Sequence, residues 1–129
     1  MDENQLDSDK SEKVDIIKFD IIQIKQNVFK YDLNIETKEN TIYFSIKDKN
    51  QLPLINYKRS MNFDEIKKLN LQFNALESFP DFYDYLKSLS FNNKLNIKKR
   101  NDKISIVFNV EVLLKQQSIE IICFLRKQI

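Results

Sequence analysis

Three groups of side chains in this chain could do chemistry. Asp81 and Asp84, with Tyr83 and Tyr85 beside them, place two carboxylates three residues apart. On a helix that spacing brings them to neighbouring positions on one face, as general acid–base work or a metal site would ask. Two aspartates are too few for a hard cation, whose sites draw more oxygen ligands and usually a glycine at a sharp loop turn. A solvated helix face is the plainer reading. Lys94, Lys98, Lys99, Arg100 and Lys103 gather around one short stretch, with Lys58 and Arg59 elsewhere. Such a cluster could meet phosphates if it were continuous and interleaved with aromatics on which bases stack. Asp102 interrupts it, and the charges also fit a solvated hairpin tip. Cys123 is the only thiol. A nucleophilic cysteine needs positive surroundings and solvent access, and Cys123 shares its parity with Ile119 and Ile121, so it reads as a small core residue.

The rest of the composition withholds what active sites are commonly built from. There is no glycine, no histidine and no tryptophan in 129 residues. Without glycine the backbone cannot approach a phosphate closely, and without histidine the usual proton carrier near neutral pH is missing. The expectation is a protein without catalytic residues, cofactor or metal, acting through binding. The lone cysteine and the polar start Met1-Asp2-Glu3-Asn4-Gln5 point to a reducing, intracellular setting, taken as the cytoplasm. No run approaches the ~20 apolar residues that cross a bilayer, so no membrane-spanning segment is expected; peripheral association stays open, though no membrane partner is assigned.

Charge divides the chain. Residues 1–13 hold Asp2, Glu3, Asp7, Asp9 and Glu12 against Lys10 and Lys13, a net −3, which leaves +5 on residues 14–129. The acidic stretch offers no large apolar residue after Leu6 and is expected to be disordered, a solubilising leader or alternatively a docking segment. Residues 14–129 are expected to form a single globular domain, with 42% hydrophobic content over the whole chain sufficient for a core.

Periodicity supplies the elements. Phe29 to Glu36 and Ile104 to Val112 alternate apolar and polar side chains with period two, the mark of strands with one buried face. Ile42 to Ile46 continues this after a turn at Thr37-Lys38-Glu39-Asn40. Ile16 to Lys25 is a strand whose apolar phase slips from Ile17, Phe19 and Ile21 to Ile22 and Ile24, which a bulge near Ile21 explains. Leu52 to Tyr57 carries Pro53 and is expected at an edge or a strand entry. Asn62-Phe63-Asp64-Glu65 opens a short helix to about residue 70, and Ser78-Phe79-Pro80-Asp81 opens a second, with Phe79, Phe82, Leu86 and Leu89 as its stripe. Strands return at 95–98, 103–114 and 119–125, with Lys115-Gln116-Gln117 as the last turn. In the absence of glycine, Asn40, Asn50, Asn92, Asn93 and Asn101 are expected to take the turn positions.

Runs of strands joined by short turns favour antiparallel pairing. The expected fold is α+β, mainly β: an antiparallel β-sandwich or flattened barrel of about seven strands with a two-helix insert. Apolar residues on the wrong parity remain: Val107, Leu113, Ile122 and Phe124. They predict a second apolar face on the last hairpin, covered by the helices or kept for a partner.

The segment from Asn62-Phe63-Asp64-Glu65-Ile66-Lys67-Lys68-Leu69, through Glu77-Ser78-Phe79-Pro80-Asp81-Phe82-Tyr83-Asp84-Tyr85-Leu86, to Ile104-Ser105-Ile106-Val107, Leu113 and Ser118-Ile119-Glu120-Ile121 resembles the globular head of the centriolar cartwheel scaffold protein and its relatives among DNA end-joining scaffolds. The resemblance covers roughly residues 40–125. It implies an assembly module in which an apolar residue between the last two strands inserts into a neighbouring head, a role falling here to Leu113 or alternatively Leu114. The partner-binding residues expected are therefore Leu113, Leu114, Ile122 and Phe124, with a protein partner or self-association. The alternative is a nucleic-acid-binding module using Lys98, Lys99, Arg100 and Lys103.

Overall fold

A computed structural model describes residues 15–125; the acidic stretch 1–13 and the last four residues lie outside them. Five strands come first: β1 (Ile16–Lys18), β2 (Ile22–Gln26), β3 (Phe29–Lys38), β4 (Thr41–Asp48) and β5 (Ile55–Asn62). Helix α1 (Phe63–Lys67), a 3-10 turn (Leu71–Ala75) and helix α2 (Phe79–Phe91) follow, then β6 (Asn96–Arg100), β7 (Lys103–Val112) and β8 (Lys115–Leu125). All pairings are antiparallel, in the order β1-β3-β4-β5-β8-β7-β6, with β2 also on β3. The fold is thus the mainly-β, antiparallel one expected, with eight strands among the described residues.

The additional strand comes from the phase slip. Lys18 pairs with Glu36 and Ile22 with Leu33, so three residues, Phe19 to Ile21, stand against two, Asn34 and Ile35. This is the bulge read from the sequence, and it divides one long strand into β1 and β2. The extra residue turns Phe19 towards the core and leaves Ile21 exposed while Ile22 and Ile24 are buried. Tyr83 of α2 holds the bulge, its ring stacked on Phe19 with centroids 4.5 Å apart and its hydroxyl donating to the Asp20 carbonyl at 2.8 Å.

β5 departs from expectation. It begins after Pro53, at Ile55, and runs through the sheet interior paired with β4 over its full length. Its alternation is hidden in the sequence because Arg59 faces inwards between Tyr57 and Met61, opposite Phe44. β5 meets β8 over only two pairs, Tyr57 with Leu125 and Lys58 with Phe124. The sheet folds about this short junction into two halves.

The helical insert fills the space between the halves. Asn62 and Glu65 form the expected capping box at the start of α1, but α1 ends at Lys67 and the 3-10 turn follows, started by the Asn70 side chain on the Gln72 N–H at 2.9 Å. Phe82 sets its ring edge on Phe44 of the first half, at 6.4 Å, while Phe73 and Tyr85 lie 6.3 and 5.9 Å from Phe108 of the second. Phe44, Phe82, Leu86, Ile106 and Phe108 are all fully buried. The helices therefore pack on the inner face of the last hairpin.

The seam opposite the junction is bridged by side chains. Gln26, at the end of β2, donates its amide to the Ile97 carbonyl of β6 at 3.1 Å and accepts the Ile97 N–H. Beside it Lys99 reaches the buried carboxylate of Asp48 at 2.7 Å. Asn50 likewise pairs with both backbone groups of Lys30, at 2.8 and 3.1 Å, extending the β3–β4 ladder by one side chain.

Candidate functional site

The connection between β7 and β8 is a two-residue turn. Val112 pairs with Lys115, so Leu113 and Leu114 are the turn, while Lys115, Gln116 and Gln117 belong to β8. This corrects the expected position of the turn. Both leucines have positive φ, 52° and 67°. Two left-handed residues suit the right-handed twist of the strands they join, and Asn-Gly ordinarily occupies such a pair. A Cβ makes the left-handed region costly by roughly 1–2 kcal/mol per residue. Leu113 and Leu114 accept that cost with side chains 89% and 91% exposed.

Positive φ elsewhere follows the expectation in part. Asn93 and Asn101 take it, as does Asn27, but Glu39 takes it in the β3–β4 turn, where Asn40 was expected to. Asn50 uses its side chain in hydrogen bonds instead.

The tip is held out on a firm base. Val110 is the last buried residue of β7, and across from it Gln117 accepts a hydrogen bond from Asn70 of the insert at 2.6 Å. Beyond this only Val112 still packs against the core, and the Leu113–Leu114 turn projects clear of it.

The other two expected partner-binding residues lie far from the tip. Phe124 pairs with Lys103, nine residues along β7 from Val112, about 30 Å at the rise of an extended strand. Ile122 stands opposite Ser105. The outer face that holds them is half apolar: Val107 and Ile122 are half-buried and Phe124 is 47% exposed. Phe124 lies in a cross-strand row with Lys58 on one side and Lys103 and Arg100 on the other, the Lys103 ammonium 5.9 Å from its ring.

The basic cluster does not form one patch. Lys98 and Arg100 point outwards, whereas Lys99 has the parity of buried Ile97 and turns into the seam. Burial alone would raise the Asp48 carboxyl, but hydrogen bonds from Lys99 and Asn50 outweigh it and hold the group below the ordinary carboxylate range. The same bond to Asp48 raises the Lys99 ammonium. Arg100 reaches Glu120 at 3.3 Å. Lys103 alone of the four stands beside an exposed aromatic ring.

The remaining candidates are structural except Asp84, which stays exposed on α2. Asp81 accepts the Glu77 N–H at 3.0 Å at the start of α2, and Tyr83 and Tyr85 are spent on the bulge and the core. Burial raises both phenols, with Asp20 and Asp84 adding to the effect at Tyr83. Cys123 is buried and its thiol is pushed up to about 12 by desolvation, against a smaller opposing pull from Arg59. Among the described residues no three metal-ligating side chains converge, and no helix is long and apolar enough to cross a membrane.

No protein-family model matches the chain, and no curated protein matches it. Among solved structures, the head domain of human CCDC61 is similar, with a TM-score of 0.57 over 88% of this chain and 97% of that one at 8% identity. At that identity the likeness is one of fold, and the chain has the head-domain topology that its sequence resemblance implied.

Proposed function

We propose that the chain is a non-enzymatic assembly module that docks through the Leu113–Leu114 tip of the β7–β8 hairpin. One observation carries this reading: two leucines occupy turn positions that disfavour them, and their exposure leaves no folding gain to offset the cost. A leucine in such a place gains only when something outside the chain covers it. The resemblance to assembly heads supports the same residues, since there an apolar side chain in this hairpin enters a neighbouring head. A second copy of the chain is accordingly the proposed partner.

The contact is weak by itself. Burying a leucine contributes roughly 1.5–3 kcal/mol, so two reach roughly the millimolar to tens-of-micromolar range before the entropic cost of association weakens it. Repetition along an assembly would multiply it.

Sedimentation velocity at rising concentration tests the reading. Wild type is expected to show concentration-dependent association, and Leu113→Glu to remain monomeric with an unchanged far-UV spectrum. Equal association by both proteins would overturn the proposal.

A further inference from the structure

The outer row formed by Lys58, Phe124, Lys103 and Arg100 stands apart from the hairpin tip and needs its own account. Register puts these four side chains on one face, with Lys98 in the next row opposite Ser105. Two carboxylates neighbour the row: Glu120, paired with Arg100, and Asp102, exposed in the turn between Arg100 and Lys103, which leaves the cations in excess. An aromatic ring bordered by cations suits an extended acidic segment with an apolar side chain among its carboxylates.

The chain carries such a segment. Residues 1–13 hold five carboxylates and two lysines, with Leu6 between the Asp2-Glu3 and Asp7-Asp9 pairs. β1, where the described chain begins, pairs with β3, and β4 and β5 separate β3 from β8. Four strand spacings cover about 20 Å, whereas the nine residues that separate Leu6 from Asp15 can reach up to about 30 Å. Charge, composition and reach all match.

We propose that the acidic amino-terminal stretch docks within its own chain on the Lys58, Phe124, Lys103 and Arg100 row, with Leu6 against Phe124. The segment then competes internally with any acidic ligand for this face, and a partner must displace it. Because the row lies about 30 Å from Leu113, this inference stands whether or not the tip mediates assembly.

The test uses the full chain. Cys123 is buried and its thiol is held protonated, so Ser8→Cys can be labelled selectively with a nitroxide. Paramagnetic relaxation of the Lys58, Lys103 and Phe124 amides is expected to be several-fold stronger than at Val112 and Leu114. It should fall to that lower level in a Lys58→Glu, Lys103→Glu variant, and in about 0.5 M salt, where screening acts within about 4 Å. Uniform enhancement, enhancement confined to β1 and β3, or no response to the charge reversals would overturn the proposal. Enhancement that grows with protein concentration would also overturn it, assigning the contact to another copy.

A second arm separates nucleic acid from the acidic segment as the occupant. Oligothymidylate should bind the full chain several-fold more tightly after Asp2→Asn, Glu3→Gln, Asp7→Asn, Asp9→Asn and Glu12→Gln, because the row is then vacated. Equal binding before and after these changes would show the row already open and sink the idea.

Discussion

Leu113 and Leu114 make a prediction that separates folding from function. Replacing them by the pair their backbone prefers, Leu113→Asn with Leu114→Gly, removes two left-handed penalties and is expected to stabilise the chain by about 1–2 kcal/mol. The same change should abolish self-association. Denaturant midpoints and sedimentation on one preparation check both; a less stable variant would mean that the leucines contribute to the fold. In the sequence Leu113 stood out as an apolar residue off the strand's alternation and as the residue to which the resemblance assigned insertion. Its position in the turn was not legible, because turn chemistry is read from glycine and asparagine and neither occurs at 113 or 114. The polar run Lys115-Gln116-Gln117 consequently drew the turn two residues too far along the chain.

At the scale of elements, strands with strict alternation were legible to within a few residues, and so was the bulge, because a slipped phase has a single cheap structural cause. β5 was not, since an inward arginine imitates an outward one in any hydropathy pattern. Arg59 is accommodated by donating to the Ile122 carbonyl at 3.2 Å, beside the junction where β5 and β8 part. The 3-10 turn was equally hidden, as Leu71 to Ala75 is too short to establish a period. The buried face of β7 supports a direct test: Phe108→Ala should cost about 3–5 kcal/mol in chemical denaturation, through lost contacts with Phe73 and Tyr85. A midpoint close to wild type would contradict the packing.

The seam supplies the pH dependence. Asp48, faced by Lys99, Asn50, Gln51 and Tyr31, has its folded value depressed, so its contribution is fully present above the ordinary carboxylate value of 3.8. That contribution is lost as the pH falls below this value and through the folded one. Asp48→Asn should destabilise the chain at neutral pH by about 1–3 kcal/mol, a range kept modest because Lys99 reaches solvent. The variant's stability should also fall less steeply with acid than that of wild type. Thermal melts across the acid range measure both slopes, and parallel curves would remove Asp48 from the seam's energetics.

For the molecule as a whole, the two proposed contacts answer differently to salt. Apolar docking at the tip should change little with ionic strength, whereas docking of the acidic stretch should weaken. An association that disappears in salt would move assembly from the leucines to the charged row. The overall topology was accessible from strand runs and the resemblance, while the division of the expected partner residues into two distant surfaces required the register.

A sheet that stops short of closure leaves strands able to pair with any extended chain they meet. In the middle of β6, Ile97 presents a donor and an acceptor to such a stranger, and the amide of Gln26 already occupies both. A foreign strand must evict Gln26 before it can extend the sheet. For a protein proposed to join its own kind in order, the ability to refuse disordered pairing is as necessary as the ability to bind. Gln26→Leu should thus leave a folded chain that aggregates through its opened edge, so that fidelity of assembly would depend on one glutamine remote from the assembling surface.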